Sequence, residues 1–304
     1  MVVTHGSLRS ARSRSTLTIG NFDGVHRGHR ALIERVVAKG RELGVTSCVL
    51  TFEPHAREFF AGDAAPARLT RLHDKLGLLA DAGVERVHLI HFDARFAAMS
   101  ATRFIADVLV RGLGVAWLLV GRDFRFGAKR QGDFATLEDA ARRDGFALDA
   151  MPDISFDGER VSSSAVRAAL AAGDFARAEQ LLGRPYTISG KVGHGTRLGR
   201  ELGFPTANIA LAQRPPLSGI YVVEVEGRGR GVASVGRRPT VNPVAQPLLE
   251  VHLFDWDGEL YGERLRVRFL RKLRDEAKFD DLAALREAIA QDAEQARQYF
   301  AGHG

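Results

Sequence analysis

The sequence predicts two domains of different class: a doubly wound α/β domain over residues 16–183, followed by an antiparallel barrel or sandwich over residues 184–304. Three observations predict this. β-branched apolar runs alternate with amphipathic stretches through the first part. From about Arg184 this rhythm gives way to short runs separated by Gly and Pro. The chain's 304 residues, 45% of them hydrophobic, fit two cores better than one.

In the first part, Thr16 to Ile19, Thr46 to Phe52, Arg86 to Phe92 and Val115 to Val120 read as strands. Between and after them, Arg30 to Leu43, Thr70 to Ala82, Ala101 to Gly112 and Phe134 to Arg143 carry apolar residues at helical spacing. That is the βαβ order of a parallel sheet. In the second part, Tyr186 to Val192, Ile220 to Glu226, Gly231 to Val235, Leu248 to Phe254 and Leu265 to Leu270 read as strands. A closing stretch with Leu282, Leu285, Ile289, Ala293, Ala296 and Phe300 at helical spacing predicts a helix laid on that domain by one apolar face. The boundary falls near Gly183 to Pro185. Residues 1–15, with Arg9, Arg12 and Arg14 among serines and no apolar core, read as a short disordered leader, with a transit peptide as second reading.

Cys48 is the only cysteine, which excludes an intrachain disulfide and suits a cytoplasmic location. The longest apolar run, Val115 to Val120, is far short of the roughly 20 residues that span a bilayer. The net charge of +6 attracts polyanions, but acidic and basic residues are interleaved, which favours small phosphorylated ligands over nucleic acid.

After the strand ending at Ile19 comes Gly20-Asn21-Phe22-Asp23-Gly24-Val25-His26-Arg27-Gly28-His29, and then helical spacing at once. Unpaired N–H groups and the positive dipole end of a helix start suit phosphate. His26 and His29, three apart, share a face of a helical turn and can both donate to one triphosphate, while Gly28 lacks the Cβ that would obstruct it. An isolated H-x-G-H also fits a surface turn; the strand before and the helix after favour a site. A second loop, Gly121 to Asp133 with Asp123, follows the strand ending at Val120 and would lie at the carboxyl edge of the sheet, where such folds bind ligands. A third piece, Ser162-Ser163-Ser164 with Arg167, is a helix cap by its serines and a pyrophosphate holder by its hydroxyls and guanidinium together.

In the second part, Gly195 to Asn208 is glycine-rich and basic without the P-loop spacing. Thr206 and Asn208 lie on one side of an extended segment and offer two neutral oxygens, adequate for Mg²⁺ completed by water and phosphate. Around them stand Gly203 and Pro205. On the strand Leu248 to Phe254, Glu250 and His252 alternate with Val251 and Leu253, so a carboxylate able to accept a hydroxyl proton sits opposite the apolar face.

TIGNFDGVHRGH (Thr18 to His29), TFEPH (Thr51 to His55), VGRDFRFG (Val120 to Gly127) and VSSSAVR (Val161 to Arg167) resemble, in order and spacing, the bacterial bifunctional riboflavin kinase/FMN adenylyltransferase family. LGFPTANI (Leu202 to Ile209), GIYVVEV (Gly219 to Val225), GVASVGRRPTV (Gly231 to Val241) and LEVHLFDWDGELYG (Leu249 to Gly262) resemble its kinase half. The resemblance runs from about Thr16 to Phe300. It implies an N-terminal nucleotidyltransferase that joins the AMP of ATP to FMN and a Greek-key barrel kinase that makes FMN from riboflavin.

It further implies that His26 and His29 act at the α-phosphate, with Gly20, Asn21, Phe22, Asp23 and Gly28 shaping the turn. Asp123 sits beside nucleotide, and Ser162, Ser163 and Arg167 hold the β- and γ-phosphates. In the kinase, Gly203, Pro205, Thr206 and Asn208 bind Mg-ATP and Glu250 deprotonates the ribityl hydroxyl. Riboflavin, FMN and ATP are then the small-molecule partners, with FAD as product and no membrane, nucleic acid or obligate protein partner. The chain departs from the family pattern at Ala56 (usually Pro), Arg30 (usually Gln), Ser164 (usually Thr) and Ser234 (usually Asn). A non-catalytic flavin- or RNA-binding protein, an adenylyltransferase for another metabolite, and an aminoacyl-tRNA synthetase-like enzyme are the alternatives. The first is told apart by bound flavin without product, the second by a degenerate second site, and the third by a tRNA-binding region that the chain lacks room for.

Overall fold

The structure is a computed structural model that describes residues 1–6, 13–152, 154–195, 198–237 and 246–303. Its contacts divide the chain into two compact units, Met1–Pro66 with Leu72–Ser162, and Ala67–Arg71 with Ser163–Gly304. The division therefore falls some 20 residues before the expected boundary near Gly183, because two helices read with the first domain pack with the second.

Unit 1 runs β1 (Val2–His5), β2 (Ser15–Ile19), α1 (Arg27–Leu43), β3 (Thr46–Glu53), α2 (Ala56–Ala61), α3 (Leu72–Asp81), β4 (Arg86–His91), α4 (Ala94–Ala97), α5 (Ala101–Arg103), a π-helix (Phe104–Gly112), β5 (Val115–Gly121), α6 (Phe134–Asp144), β6 (Ala147–Met151) and the small hairpin β7 (Ser155–Phe156) and β8 (Glu159–Arg160). The six main strands are parallel, in the order β1-β4-β3-β2-β5-β6. Strand alternation explains why helices cover both faces. Leu17, Ile19, Leu118 and Val120 turn to the π-helix and α6, packing on Phe104, Leu109 and Leu137. On the other face Val49 and Val87 meet Ile33 and Val37 of α1 and Leu79 of α3.

Two findings correct the sequence reading. The leader is not a disordered tail at its start: Val2–His5 forms an edge strand paired with β4, and Thr4 Oγ1 lies 2.9 Å from His88 Nδ1. Four residues, Val2, Val3, Thr4 and His5, are too short a run to show a periodicity, and backbone bonds to an edge hold them. Arg9 and Arg12 lie outside the described residues. The expected helix Ala101 to Gly112 exists, but from Phe104 it winds as a π-helix, a change that nothing in its sequence signals.

Unit 2 runs α7 (Ser163–Ala171), α8 (Phe175–Leu182), β9 (Thr187–Gly193), α9 (Leu198–Glu201), β10 (Ala207–Ala210), β11 (Gly219–Val225), β12 (Gly229–Arg237), β13 (Pro247–Leu253), β14 (Arg264–Arg274) and α10 (Leu282–Gly302). The six strands close into an antiparallel barrel in the order β10-β13-β12-β11-β14-β9. Within it β14-β11-β12-β13 is the 4-1-2-3 order of a Greek key. Helix α10 packs Ala293, Ala296 and Phe300 on Val222, Val232 and Phe254. Leu282 belongs to the same spacing but is 59% exposed, so the packed face of α10 starts later than expected.

Candidate active sites

The sheet order of unit 1 dictates where a ligand fits. From β2 the chain moves to β3 and β4 on one side, then returns to β5 and β6 on the other. At such a reversal the carboxyl ends of the two strands leave a crevice. The loops leaving those ends are Gly20–His26 after β2 and Arg122–Asp133 after β5, two of the three segments singled out in the sequence.

The first loop is held tightly. Gly20 N–H donates to Leu50 O at 3.1 Å and Thr51 Oγ1 to Asn21 O at 3.3 Å. Phe22 and Val25 have φ of 48° and 39°, a costly conformation for a β-branched residue and one that persists where a site requires it. Phe22 and Asp23 are buried.

His26 caps α1 rather than lying within it: its Nδ1 accepts the His29 backbone N–H at 3.3 Å, which puts the ring proton on Nε2. The His26 and His29 rings stack 3.7 Å apart, so they do come together, as cap and first turn. A Cβ on Gly28 would lie 3.2 Å from His26 Nδ1 and 3.5 Å from Val161 O. Gly28 thus makes room for the histidine and for Val161, the residue before Ser162.

His29 Nδ1 and Thr18 Oγ1 are enclosed and, among the described residues, have no hydrogen-bond partner. Thr18 faces α1, as does Thr16, whose Oγ1 donates to Val36 O at 2.9 Å. Each unmade buried bond costs about 1–3 kcal/mol. Burial, then His26 and Lys75, holds the His29 imidazole well below the usual histidine range, so it is neutral near pH 7.

The other expected groups are placed less directly. Asp123 is exposed and meets Arg160 at 3.3 Å. Ser162 ends unit 1 and Ser163 begins α7 in unit 2. Arg167 Nε donates to Ala67 O at 2.5 Å, so its guanidinium also braces backbone. Ala56 is the first residue of α2, where proline is tolerated, so the departure alters stiffness more than shape.

In unit 2 the site is built from a barrel wall. Register puts Asn208 of β10 and Ser234 of β12 on either side of Glu250 of β13, making a cross-strand row. The burial of β13 alternates as expected, with Leu249, Val251 and Leu253 inward. Glu250, Asn208, Ser234 and Thr206 line a cavity of about 360 Å³.

Asn208 Nδ2 donates to Thr206 O at 3.1 Å and lies 3.4 Å from its Oγ1, so the two side chains stand together. His252 Nδ1 donates to Pro205 O at 2.9 Å, pinning that segment to β13. A Cβ on Gly195 would come within 2.6 Å of the Asn208 amide, and one on Gly199 would lie 3.3 Å from Thr206 Oγ1, so glycines let the loop close over the pair. Gly203, with φ of 88°, turns the chain after α9. Thr196, Arg197, Arg238, Pro239, Thr240 and Val241 lie outside the described residues.

Sequence reasoning missed the cavity's far wall. Arg274 makes a two-pronged bond to Asp292 at 2.8 and 2.7 Å, and Glu276 lines the space beside them, its carboxyl raised by burial and, more weakly, by the charge of Glu250. The legible signal was Asp292 itself, a carboxylate on the apolar stripe of α10. Among the described residues no cluster of three His, Cys, Asp or Glu could hold a metal.

A family model described as FAD synthetase matches residues 8–165, and one described as riboflavin kinase matches residues 182–300. The chain is 48% identical to the bifunctional riboflavin kinase/FMN adenylyltransferase of Escherichia coli strain K12, across 97% of this chain and 96% of that one. It is 49% identical to the protein so described from Pseudomonas fluorescens (96% and 94% covered) and 36% identical to that from Bacillus subtilis (97% and 96%). A crystal structure described as a macrolide-efflux protein from Streptococcus pneumoniae matches with TM-score 0.75 and 27% identity over 98% of this chain and 99% of that chain. Among the described residues here, no helix is long and apolar enough to cross a membrane.

Proposed function

The chain belongs to the family of bifunctional riboflavin kinases/FMN adenylyltransferases, and from that premise we propose how its residues divide the two reactions. Riboflavin and ATP give FMN and ADP in the C-terminal domain; FMN and a second ATP give FAD and pyrophosphate in the N-terminal one. The observation that carries the residue assignment is the stacked His26–His29 pair, with its enclosed, unbonded Nδ1, at a helix start on the sheet's switch point.

In the nucleotidyl step, His26 Nε2–H and His29 bond the oxygens around the α-phosphate as FMN phosphate attacks in line, and the N–H groups of α1 stabilise the charge that develops. Gly20, Asn21, Phe22 and Asp23 fix the turn, Asp123 borders the nucleotide, and Ser162, Ser163 and Arg167 hold the departing pyrophosphate. The flavin ring has a fitting platform: Phe59 and Phe60 of α2 stand with Phe92 at centroid separations of 5.1 to 5.7 Å, and Phe60 is 71% exposed.

In the kinase step Glu250 takes the proton of the ribityl hydroxyl, whose oxygen attacks the γ-phosphate while ADP leaves. Thr206 and Asn208, adjacent oxygen donors under the glycine loop, would hold Mg²⁺, which neutralises phosphate charge when bound. Gly203 and Pro205 set that segment. A cytoplasmic location goes with this reading, supported by the single, buried cysteine; no protein partner is part of it. Incubation with riboflavin, ATP and Mg²⁺ followed by chromatography of the flavins tests it. FMN should appear first and FAD second; FAD without prior FMN, or neither, would overturn it.

A further inference from the structure

Glu276 stands on the stretch between β14 and α10, and its carboxyl reaches back over the barrel. It lies so close to Gly236 of β12 that a Cβ there would overlap Glu276 Oε1, and Ser218 Oγ donates to Glu276 Oε2 at 3.4 Å. A Cβ on Gly219 of β11, itself at φ of 122°, would overlap Arg274 O. Two glycines on paired strands thus let the segment from Arg274 to Glu276 lie flat on the barrel. Register then relates Glu276 to Glu250. Ser234 pairs directly with Glu250, and Gly236, two residues on, points to the same face. Gly236 is therefore a diagonal neighbour of Glu250, about 7–8 Å away, and Glu276 Oε1 takes the place of its missing Cβ. Both carboxyls line the same cavity.

Charge decides what fits between them. Arg274 is matched by Asp292 in its two-pronged bond, so among the described residues the two glutamates leave this wall of the cavity acidic. Two carboxylates facing one space repel each other and any phosphate, which confines the triphosphate to the Thr206–Asn208 end. Neutral hydroxyls that donate to both carboxylates suit the space. In riboflavin the reacting hydroxyl ends a five-carbon chain that bears three more hydroxyls, and such a chain spans about 5 Å with bonds of about 1.5 Å. We propose that Glu276 is a specificity-determining residue of the kinase: its carboxylate accepts hydrogen bonds from the inner hydroxyls of the ribityl chain while Glu250 holds the terminal one. Glu276 takes no proton in the reaction. The inference rests on the reading of Glu250 as the kinase base.

A flavin whose ribityl chain is replaced by unbranched hydroxypentyl keeps the terminal hydroxyl and lacks the inner ones. In the full chain with Mg-ATP, Glu276→Leu should lower kcat/KM for riboflavin about ten- to a hundredfold, mostly through KM, and change it for the hydroxypentyl flavin less than about twofold. Glu276→Gln keeps an acceptor oxygen and should retain most of the parent's activity on riboflavin. Parent-level phosphorylation of riboflavin by Glu276→Leu, equal fractional losses on both flavins, or Glu276→Gln no better than Glu276→Leu would overturn the proposal. If Glu276→Leu loses its cooperative thermal transition, Glu276→Ala takes its place under the same criteria. Glu250→Ala is assayed beside them. Full FMN formation there removes the underlying site reading, whereas an inactive Glu250→Ala beside equal losses in Glu276→Leu removes only the role of Glu276.

Discussion

The two units handle the same co-substrate by opposite means. In the parallel sheet the proposed site lies at strand ends and would bind largely through backbone: a helix start, a strained turn and two stacked histidines are gathered within ten residues. In the barrel the proposed site lies on a wall, and Asn208, Glu250 and Ser234 come together only through strand pairing across more than forty residues of chain. Sheets with a switch point expose N–H groups and loops together; a closed barrel has no free strand edge and must project side chains instead. Adenylyl transfer, which needs charge stabilised and no base on the enzyme, suits the first arrangement. Phosphorylation of a neutral hydroxyl, which needs a carboxylate base, suits the second.

If that contrast holds, single substitutions should separate the activities. Glu250→Ala should lower FMN formation by about a hundred- to ten-thousandfold while leaving FAD formation from supplied FMN intact. His29→Ala should lower FAD formation by about a hundred- to a thousandfold with FMN formation unchanged. Loss of both activities in either folded variant would break the comparison.

Acid should distinguish the units next. Burial presses the His88 imidazole down to about 4, and His29 is lowered as well. The native sheet domain therefore binds fewer protons than its unfolded chain between about pH 6.5 and 4. It should lose on the order of 3 kcal/mol from His88 over that fall in pH. Glu276 in the barrel is raised, so acidification does not cost unit 2 through that group. The chain's two tryptophans, Trp117 in β5 and Trp256 beyond β13, allow single-tryptophan variants to report each unit's unfolding, and the Trp117 signal should change first as pH falls. The smallest effects come from glycines. Gly195→Ala, which crowds the Asn208 amide, should raise KM for ATP in FMN formation about tenfold. Gly28→Ala meets the edge of the His26 ring at 3.2 Å and Val161 O at 3.5 Å but improves the helix, and should cost FAD formation less.

What was legible in the sequence follows the same contrast. The four strands and four helices read in the sheet domain, with its H-x-G-H turn, are local patterns found within a few residues of their expected limits, whereas β6 (Ala147–Met151) was not read. The cap role of His26, the enclosed Nδ1 of His29 and the Lys75–His55 bond depend on side chains from separate segments, which periodicity does not report. In the barrel, the alternation of Glu250 with Val251 was readable; its pairing with Asn208 and Ser234 was not, because register is a property of two strands. Strand β10, four residues between turns, left too short a run to see, as did β1.

The central claim is that the two reactions belong to two separate sites, and mixing two variants tests it most directly. Glu250→Ala and His29→Ala proteins, each unable to convert riboflavin to FAD alone, are combined with riboflavin, ATP and Mg²⁺. The mixture should accumulate FMN and then, after a lag, FAD. A mixture that forms no FAD, although the Glu250→Ala protein converts supplied FMN, would contradict the account.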